Sequence, residues 1–135
     1  MIWVVDTSAV VRLFVPDGPL HPDIEPAMNR AMHGSDVVLA PDSMLAEAPN
    51  VLLRKKRRGE LSSEEVQEIV ETIVSLPVRI EPHASLLVAA FSLADAYDLT
   101  VYDALYLALA ERHGARIITC DERLERAAKT LGLGN

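Results

Sequence analysis

The chain opens with Ile2-Trp3-Val4-Val5, a short uninterrupted apolar run that ends abruptly at Asp6-Thr7-Ser8. A run of this length without polar alternation reads as a strand covered on both faces, as inside a parallel sheet. Asp6 then stands at the carboxyl end of that strand, the edge of open α/β sheets where ligands and chemistry collect. Taken alone, Asp6, Thr7 and Ser8 read first as helix caps, because every helix start leaves N–H groups in need of acceptors. The rest of the chain decides between cap and site.

At 135 residues, half of them apolar, the chain is expected to form a single domain over residues 1–135. A domain of this size buries roughly two-thirds of its unfolded surface without staples. The one cysteine, Cys120, excludes an internal disulfide and agrees with a reducing, cytoplasmic setting. Asp6 and Arg12 interrupt the apolar N-terminus before a signal-peptide core can form. No stretch approaches the roughly 20 apolar residues of a membrane span. The net charge of −7 argues against nucleic-acid binding through overall charge, while leaving room for a local basic patch.

Read in order, Ala9 to Phe14 is a short helix candidate stopped by Pro16-Asp17-Gly18-Pro19, and Pro22 to His33 a second, weaker one. Asp36 to Ala40 reads as a second buried strand. The helix after it carries Met44, Leu45, Ala48, Val51 and Leu52, and ends in Arg54-Lys55-Lys56-Arg57-Arg58. Pro49 falls inside it and predicts a kink or a late start, since proline removes a hydrogen bond and crowds the preceding turn. Ser62 and Glu65 form a capping box ahead of an apolar stripe, Val66 to Val74. Val78 to Ile80 is a short edge strand, and Ala84 to Tyr97 a helix. The segment from Asp103 to His113 is apolar nearly all round, so it must be buried, with Gly114 as its stop. Arg116 to Cys120 is the fourth strand, Glu122 to Leu131 the last helix. Strands alternating with helices predict an α/β fold with a parallel sheet and right-handed crossovers.

Two strands thus end in the same way, at Asp6 and at Asp121. Two further acids are oddly placed: Glu47 early in a helix among apolar neighbours, and Asp103 at the head of the most apolar helix. In a sheet whose order reverses beside its first strand, all four can approach one crevice. Each also has a bland explanation, as an N-cap or a solvated acid near a positive helix end. Convergence would be costly: two unit charges about 4 Å apart repel by about 4 kcal/mol at an effective dielectric near 20. Such a cleft holds protons or binds a cation. Oxygen-only donors favour Mg²⁺ or Mn²⁺ over zinc, and sites of that kind serve phosphodiester chemistry.

These residues carry a resemblance that covers nearly the whole chain. Val4-Val5-Asp6-Thr7-Ser8, the segment from Pro41 through Glu47 to Asn50 and Leu53, Val101-Tyr102-Asp103-Ala104-Leu105-Tyr106 and Ile117-Ile118-Thr119-Cys120-Asp121 resemble, in order and spacing, the four motifs of the PIN domain. The likeness is specifically to VapC-type toxin ribonucleases of toxin–antitoxin pairs. The resemblance implies a three-layer α/β/α sandwich with sheet order 3-2-1-4 and a fifth strand, which here is expected to be absent or vestigial after Leu133. It further implies Mg²⁺- or Mn²⁺-dependent hydrolysis of RNA by a metal-activated water, a homodimer, and inhibition by a small VapB-like antitoxin. By that carry-over Asp6 and Asp103 are the foremost metal ligands, Glu47 and Asp121 complete the acidic set, and Ser8, Thr119 and Asn50 support it by hydrogen bonds.

The basic run Arg54, Lys55, Lys56, Arg57 and Arg58 reads either as a phosphate-tracking patch or as a solvated helix end. Arg12 and Arg112 are further phosphate-contact candidates. His21, His33, His83 and His113 share no metal-ligand spacing and read as surface residues, as do Asp95 and Asp98, while Cys120 reads as a packed strand residue. Two other functions fit the pattern less well. A non-catalytic PIN-like module binding RNA or protein predicts the loss of an acid, and a phospho-acceptor receiver domain wants an acidic pair after the first strand and a late lysine.

Overall fold

A computed structural model describes residues 1–134 of the chain. Its centre is a four-stranded sheet in the order β3-β2-β1-β4, with β1 at Ile2–Val5, β2 at Val37–Pro41, β3 at Arg79–Glu81 and β4 at Arg116–Ile118. All three pairings are parallel. Trp3, Val4 and Val5 are buried, as a strand covered on both faces requires. The expected order is therefore found; β1 falls where expected, and the other three strands differ by a residue or two at their ends.

The register explains the site's location. Val4 lies opposite Leu39 of β2 and Ile117 of β4, and Val5 opposite Ile118. The carboxyl ends of β1 and β4 are thereby level, and the Asp6 amide donates to the Ile118 carbonyl at 3.2 Å. The chain leaves β1 toward β2 on one side and returns as β4 on the other, so the level ends bound a switch point of the sheet.

The helices are α1 (Thr7–Val11), α2 (Ile24–Met32), α3 (Met44–Arg57), α4 (Ser63–Ser75), α5 (Leu87–Tyr97, preceded by a 3₁₀ turn at Ala84–Leu86), α6 (Val101–His113) and α7 (Glu122–Thr130). They complete a three-layer α/β/α arrangement. Helix α6 packs on β1, β2 and β4 and is covered in turn by α5. Every residue from Ala104 to Ala110 is buried, which accounts for the absence of a polar face. Cutting one of its leucines, Leu105, Leu107 or Leu109, to alanine would cost about 2–5 kcal/mol. Gly114 ends it at φ +60, a left-handed conformation that glycine adopts without penalty.

Three helix starts have local reasons that the sequence left open. Helix α1 starts at Thr7 instead of Ala9, because the Asp6 carboxylate caps it through the Ala9 amide. Helix α6 starts at Val101, capped by the Thr100 hydroxyl on the Asp103 amide at 3.1 Å. Helix α3 begins promptly at Met44 and runs through Pro49, so a late start is excluded. The Ser62–Glu65 capping box is present with both bonds made. No fifth strand exists among the described residues. One backbone bond, from the Ile117 amide to the Leu133 carbonyl at 2.9 Å, is what pairs with the outer edge of β4. No single described helix is long and apolar enough to cross a membrane.

Candidate active site

The four acids singled out by the sequence arrive at one cleft from four different elements. Asp6 leaves β1, Glu47 sits in the first turn of α3, Asp103 in the first turn of α6, and Asp121 at the start of α7. All four line a cavity of about 920 Å³, together with Thr7, Ser8, Asn50, Tyr102 and Tyr106.

Asp6 is buried and the most heavily bonded of the set. Its Oδ1 accepts from Ser8 Oγ at 2.7 Å and the Ala9 amide at 3.0 Å, and its Oδ2 from Thr119 Oγ1 at 2.6 Å. Burial nevertheless dominates and pushes its pKa up to about 6, against the three hydrogen bonds and with a further push from Asp103. Ser8 and Thr119 tie the two level strand ends together. Ser8 Oγ accepts from the Cys120 amide at 3.0 Å, and Thr119 Oγ1 from the Asp121 amide at 3.0 Å.

The other acids respond to the same surroundings. Burial raises Glu47, the Tyr106 hydroxyl bond opposes the rise, and the charges of Asp103 and Asp6 add to it. Burial followed by the charge of Asp121 raises Asp103. Asp6, Glu47 and Asp103 thus each feel another acid across the cleft. Asp121 caps α7, accepting from the Arg123 and Leu124 amides at 2.9 and 3.1 Å, so cap and cleft residue coincide there as they do at Asp6. Glu47 and Asp103 cap nothing: the N-cap of α3 is Ser43 and that of α6 is Thr100.

Tyr106, a member of the third motif to which the sequence alone assigns no role, is buried beneath the cleft. Its hydroxyl donates to Glu47 Oε1 at 2.7 Å and lies 2.7 Å from Thr7 Oγ1. Burial and the neighbouring Glu47 carboxylate push its pKa far above the usual tyrosine range. The available signal was its spacing, three residues beyond Asp103 and so on the same side of α6.

The basic residues divide. Arg12 and Arg54 line the cleft, with an Arg12 guanidinium nitrogen also reaching the Pro19 carbonyl at 3.3 Å. Lys55, expected in a phosphate-tracking patch, does not belong to one: it is 5 % exposed, with its ammonium bonded to Asp17 and 3.9 Å from Glu60, so its charge is committed inside the fold. Lys56, Arg57 and Arg58 are exposed beyond the cleft, and Arg58 pairs with Glu60 at 2.7 Å. Arg112 is likewise turned away, bonding Ser85 at 3.1 Å through both guanidinium nitrogens. Of the histidines, His83 pairs with Asp42 and His113 with Glu81.

The donor chemistry of the cleft is oxygen only, without cysteine or histidine. No three Asp, Glu, His or Cys side chains among the described residues converge closely enough to enclose one ion. That combination fits a small hard cation held through one or two carboxylates with water and substrate oxygens completing its shell, and not an all-protein cage.

A family model described as PIN domain matches residues 3–130. Ribonuclease VapC3 of Pyrobaculum aerophilum is 32% identical over 126 residues, covering 92% of each chain. Ribonuclease VapC3 of Mycobacterium tuberculosis is 38% identical over 125 residues, covering 92% of this chain and 85% of the relative. Among solved structures, PAE2754 from Pyrobaculum aerophilum superposes with a TM-score of 0.72 at 20% identity, covering 97% of this chain and 92% of the other. VapC20 of Mycobacterium tuberculosis, described as a Sarcin-Ricin loop cleaving toxin, gives 0.63 at 20% identity, covering 93% and 94%. At that identity both structures speak to the fold.

Proposed function

The chain belongs to the PIN-domain family, with VapC ribonucleases among its relatives, and from that premise we propose that it is a divalent-cation-dependent endoribonuclease of the VapC toxin type. The observation that carries this reading is the meeting of Asp6, Glu47, Asp103 and Asp121 in one cleft, where burial and neighbouring charge raise the proton affinities of Asp6, Glu47 and Asp103. A site that resists holding its own negative charges is one built to receive positive charge.

Asp6 and Asp103 are the residues that would hold a Mg²⁺ or Mn²⁺ ion, with Glu47 and Asp121 completing the acidic wall. When bound, such an ion supplies charge to offset the phosphate and to acidify water. Ser8 and Thr119 keep the Asp6 carboxylate fixed by donating to both of its oxygens, which preorganises it before substrate arrives. Arg12 and Arg54 on the cleft wall suit the phosphates flanking the scissile bond. Asn50, one turn beyond Glu47 on the same wall, offers an amide to the same backbone. Hydrolysis then requires in-line attack of water on phosphorus, the water's proton passing to a carboxylate and the P–O ester bond breaking. A local pair of arginines in an acidic cleft reconciles RNA binding with the net charge of −7.

Two partners follow from the same reading. A small VapB-like antitoxin suits the apolar groove lined by Leu13, Phe14, Met28, Met32, Leu76 and Pro77, where methionines adapt to an amphipathic segment. A second copy of the chain suits the outer face of α5, on which Val88 is 83 % and Phe91 67 % exposed. The lone cysteine fits action in the reducing cytoplasm.

The deciding experiment is incubation of total RNA with the protein and Mg²⁺ or Mn²⁺. Cleavage by the wild type that stops in Asp6→Asn and in excess EDTA supports the reading. RNA binding without cleavage would instead identify a non-catalytic module of the same family.

A further inference from the structure

The start of α3 is held by backbone bonds alone, from the Leu45 amide to the Asp42 carbonyl at 3.1 Å and from the Ala46 and Glu47 amides to the Ser43 carbonyl at 3.1 and 3.0 Å. The N-cap of α3, Ser43, makes no capping bond with its side chain, and its buried hydroxyl has no partner. Pro49, two residues beyond Glu47, has no N–H to donate to the Leu45 carbonyl one turn back. The first turn of α3 therefore lacks a side-chain cap, and the turn after it lacks the bond that residue 49 would make.

What holds the Glu47 carboxylate comes from elsewhere. Tyr106, rigid within the buried helix α6, donates its hydroxyl to Glu47 Oε1 at 2.7 Å. A tyrosine hydroxyl has a single proton. With that proton on Glu47, its oxygen is free to accept from Thr7 Oγ1, 2.7 Å away. Thr7 follows Asp6 directly and opens α1. One line of hydroxyls thus runs from the end of β1, through α6, to the carboxylate on α3, and joins three of the elements that build the cleft.

We propose that Tyr106 is a positioning residue that aims Glu47 into the cleft, with Thr7 fixing the tyrosine hydroxyl in register. The inference rests on the nuclease reading, and it gives a phenol on α6 control over a side chain that the α3 backbone leaves free to rotate. Tyr106 touches no substrate in this scheme. It acts through Glu47, by confining a flexible side chain to the one direction in which its free oxygen meets the other acids.

The test is a double-variant comparison of Tyr106→Phe and Glu47→Gln, alone and together. Phenylalanine keeps the ring in the core and deletes only the hydroxyl. Two quantities are read: kcat and KM on an RNA the wild type cleaves, and the affinity of the substrate-free protein for Mn²⁺, followed by the electron paramagnetic resonance of the free ion. Tyr106→Phe is expected to lower kcat by about tenfold to a hundredfold with KM nearly unchanged, and to weaken Mn²⁺ binding severalfold. Neither effect should appear when Tyr106→Phe is added to Glu47→Gln, because the group it aims is then already lost. The proposal stands if at least one effect is present in the wild-type background and gone in the Glu47→Gln background. It is overturned if Tyr106→Phe changes neither quantity, or if every change persists by the same factor in both backgrounds, which marks general loosening of the core. A wild type that cleaves no RNA under any divalent cation overturns the nuclease reading itself, and is told apart because the Mn²⁺ comparison needs no turnover.

Discussion

Thr119 Oγ1 donates to Asp6 Oδ2 at 2.6 Å across 113 residues of sequence, and the same hydroxyl oxygen accepts from the Asp121 amide at 3.0 Å. One threonine at the end of β4 therefore steadies the acid on the neighbouring strand and the backbone of the acid that follows it. The first of these bonds exists only because β1 and β4 end level in the sheet, while the second is local to the turn after β4.

Thr119→Val keeps the shape and removes the hydroxyl, leaving a buried carboxylate oxygen and an amide each short of a partner. The expected loss is about 1–3 kcal/mol of stability at neutral pH, read from the urea midpoint, with reduced cleavage. Thr119→Ser restores the hydroxyl and should recover most of both. Equal midpoints for Val and Ser would show that the bond to Asp6 carries no stability.

Asp6 also makes stability depend on pH in the metal-free protein. Its folded pKa of about 6 lies above the ordinary 3.8. Below the ordinary value both folded and unfolded chains are protonated there and burial of the carboxyl is favourable. As pH rises through about 6 the folded state must carry a buried charge, and that contribution is lost. A tenfold change in proton affinity is worth about 1.4 kcal/mol, so the gap from 3.8 to about 6 amounts to about 3 kcal/mol. In EDTA, Asp6→Asn should gain stability over wild type as pH rises from about 4 to 7, followed by paired thermal melts. A difference that stays flat across that window would contradict the shift.

The acids of the site are legible in the sequence because their signals are local. An apolar run that stops at a carboxylate marks a strand end, and Asp6 and Asp121 both follow such runs. The contest between cap and site dissolves at those two residues, since each carboxylate caps a helix and lines the cleft at once. What escaped the sequence depends on contacts between distant segments. Tyr106 reaches Glu47 across 59 positions, and Lys55 meets Asp17 across 38. Periodicity reports which face of a helix is apolar, and it says nothing of which partner waits there. Lys55 reads as one more cation in a basic run until the loop containing Asp17 folds over it.

That division of the basic run makes a separate prediction. Arg54 lines the cleft, so Arg54→Ala should raise KM and flatten the salt dependence of RNA binding by about one unit of slope. Lys55→Met removes an equal charge from the sequence, but from a buried position already neutralised by Asp17. It should leave the salt slope unchanged, with its effect confined to stability. Binding isotherms at several salt concentrations distinguish the two. Equal slopes for the two variants would return the whole run to a diffuse electrostatic role.

The strongest consequence of the clustered acids concerns the cation itself. A ligand that binds only the folded state stabilises it by an amount that grows with the logarithm of its concentration relative to Kd, about 2.7 kcal/mol at one hundred times Kd. In this cleft the affinity has an identifiable source, because a divalent ion offsets the burial and the mutual repulsion that raise Asp6, Glu47 and Asp103. Mn²⁺ should therefore raise the melting temperature of the wild type at pH 7.5 by several degrees, and less as pH falls toward 5 and protons compete for the same oxygens. Asp6→Asn removes one of the charges that attract the ion, so its melting temperature should be higher than wild type without Mn²⁺ and respond weakly to it. Crossing of the two titrations is the signature of a site that sacrifices stability to hold its charges ready. Parallel titrations would place the bound ion away from Asp6.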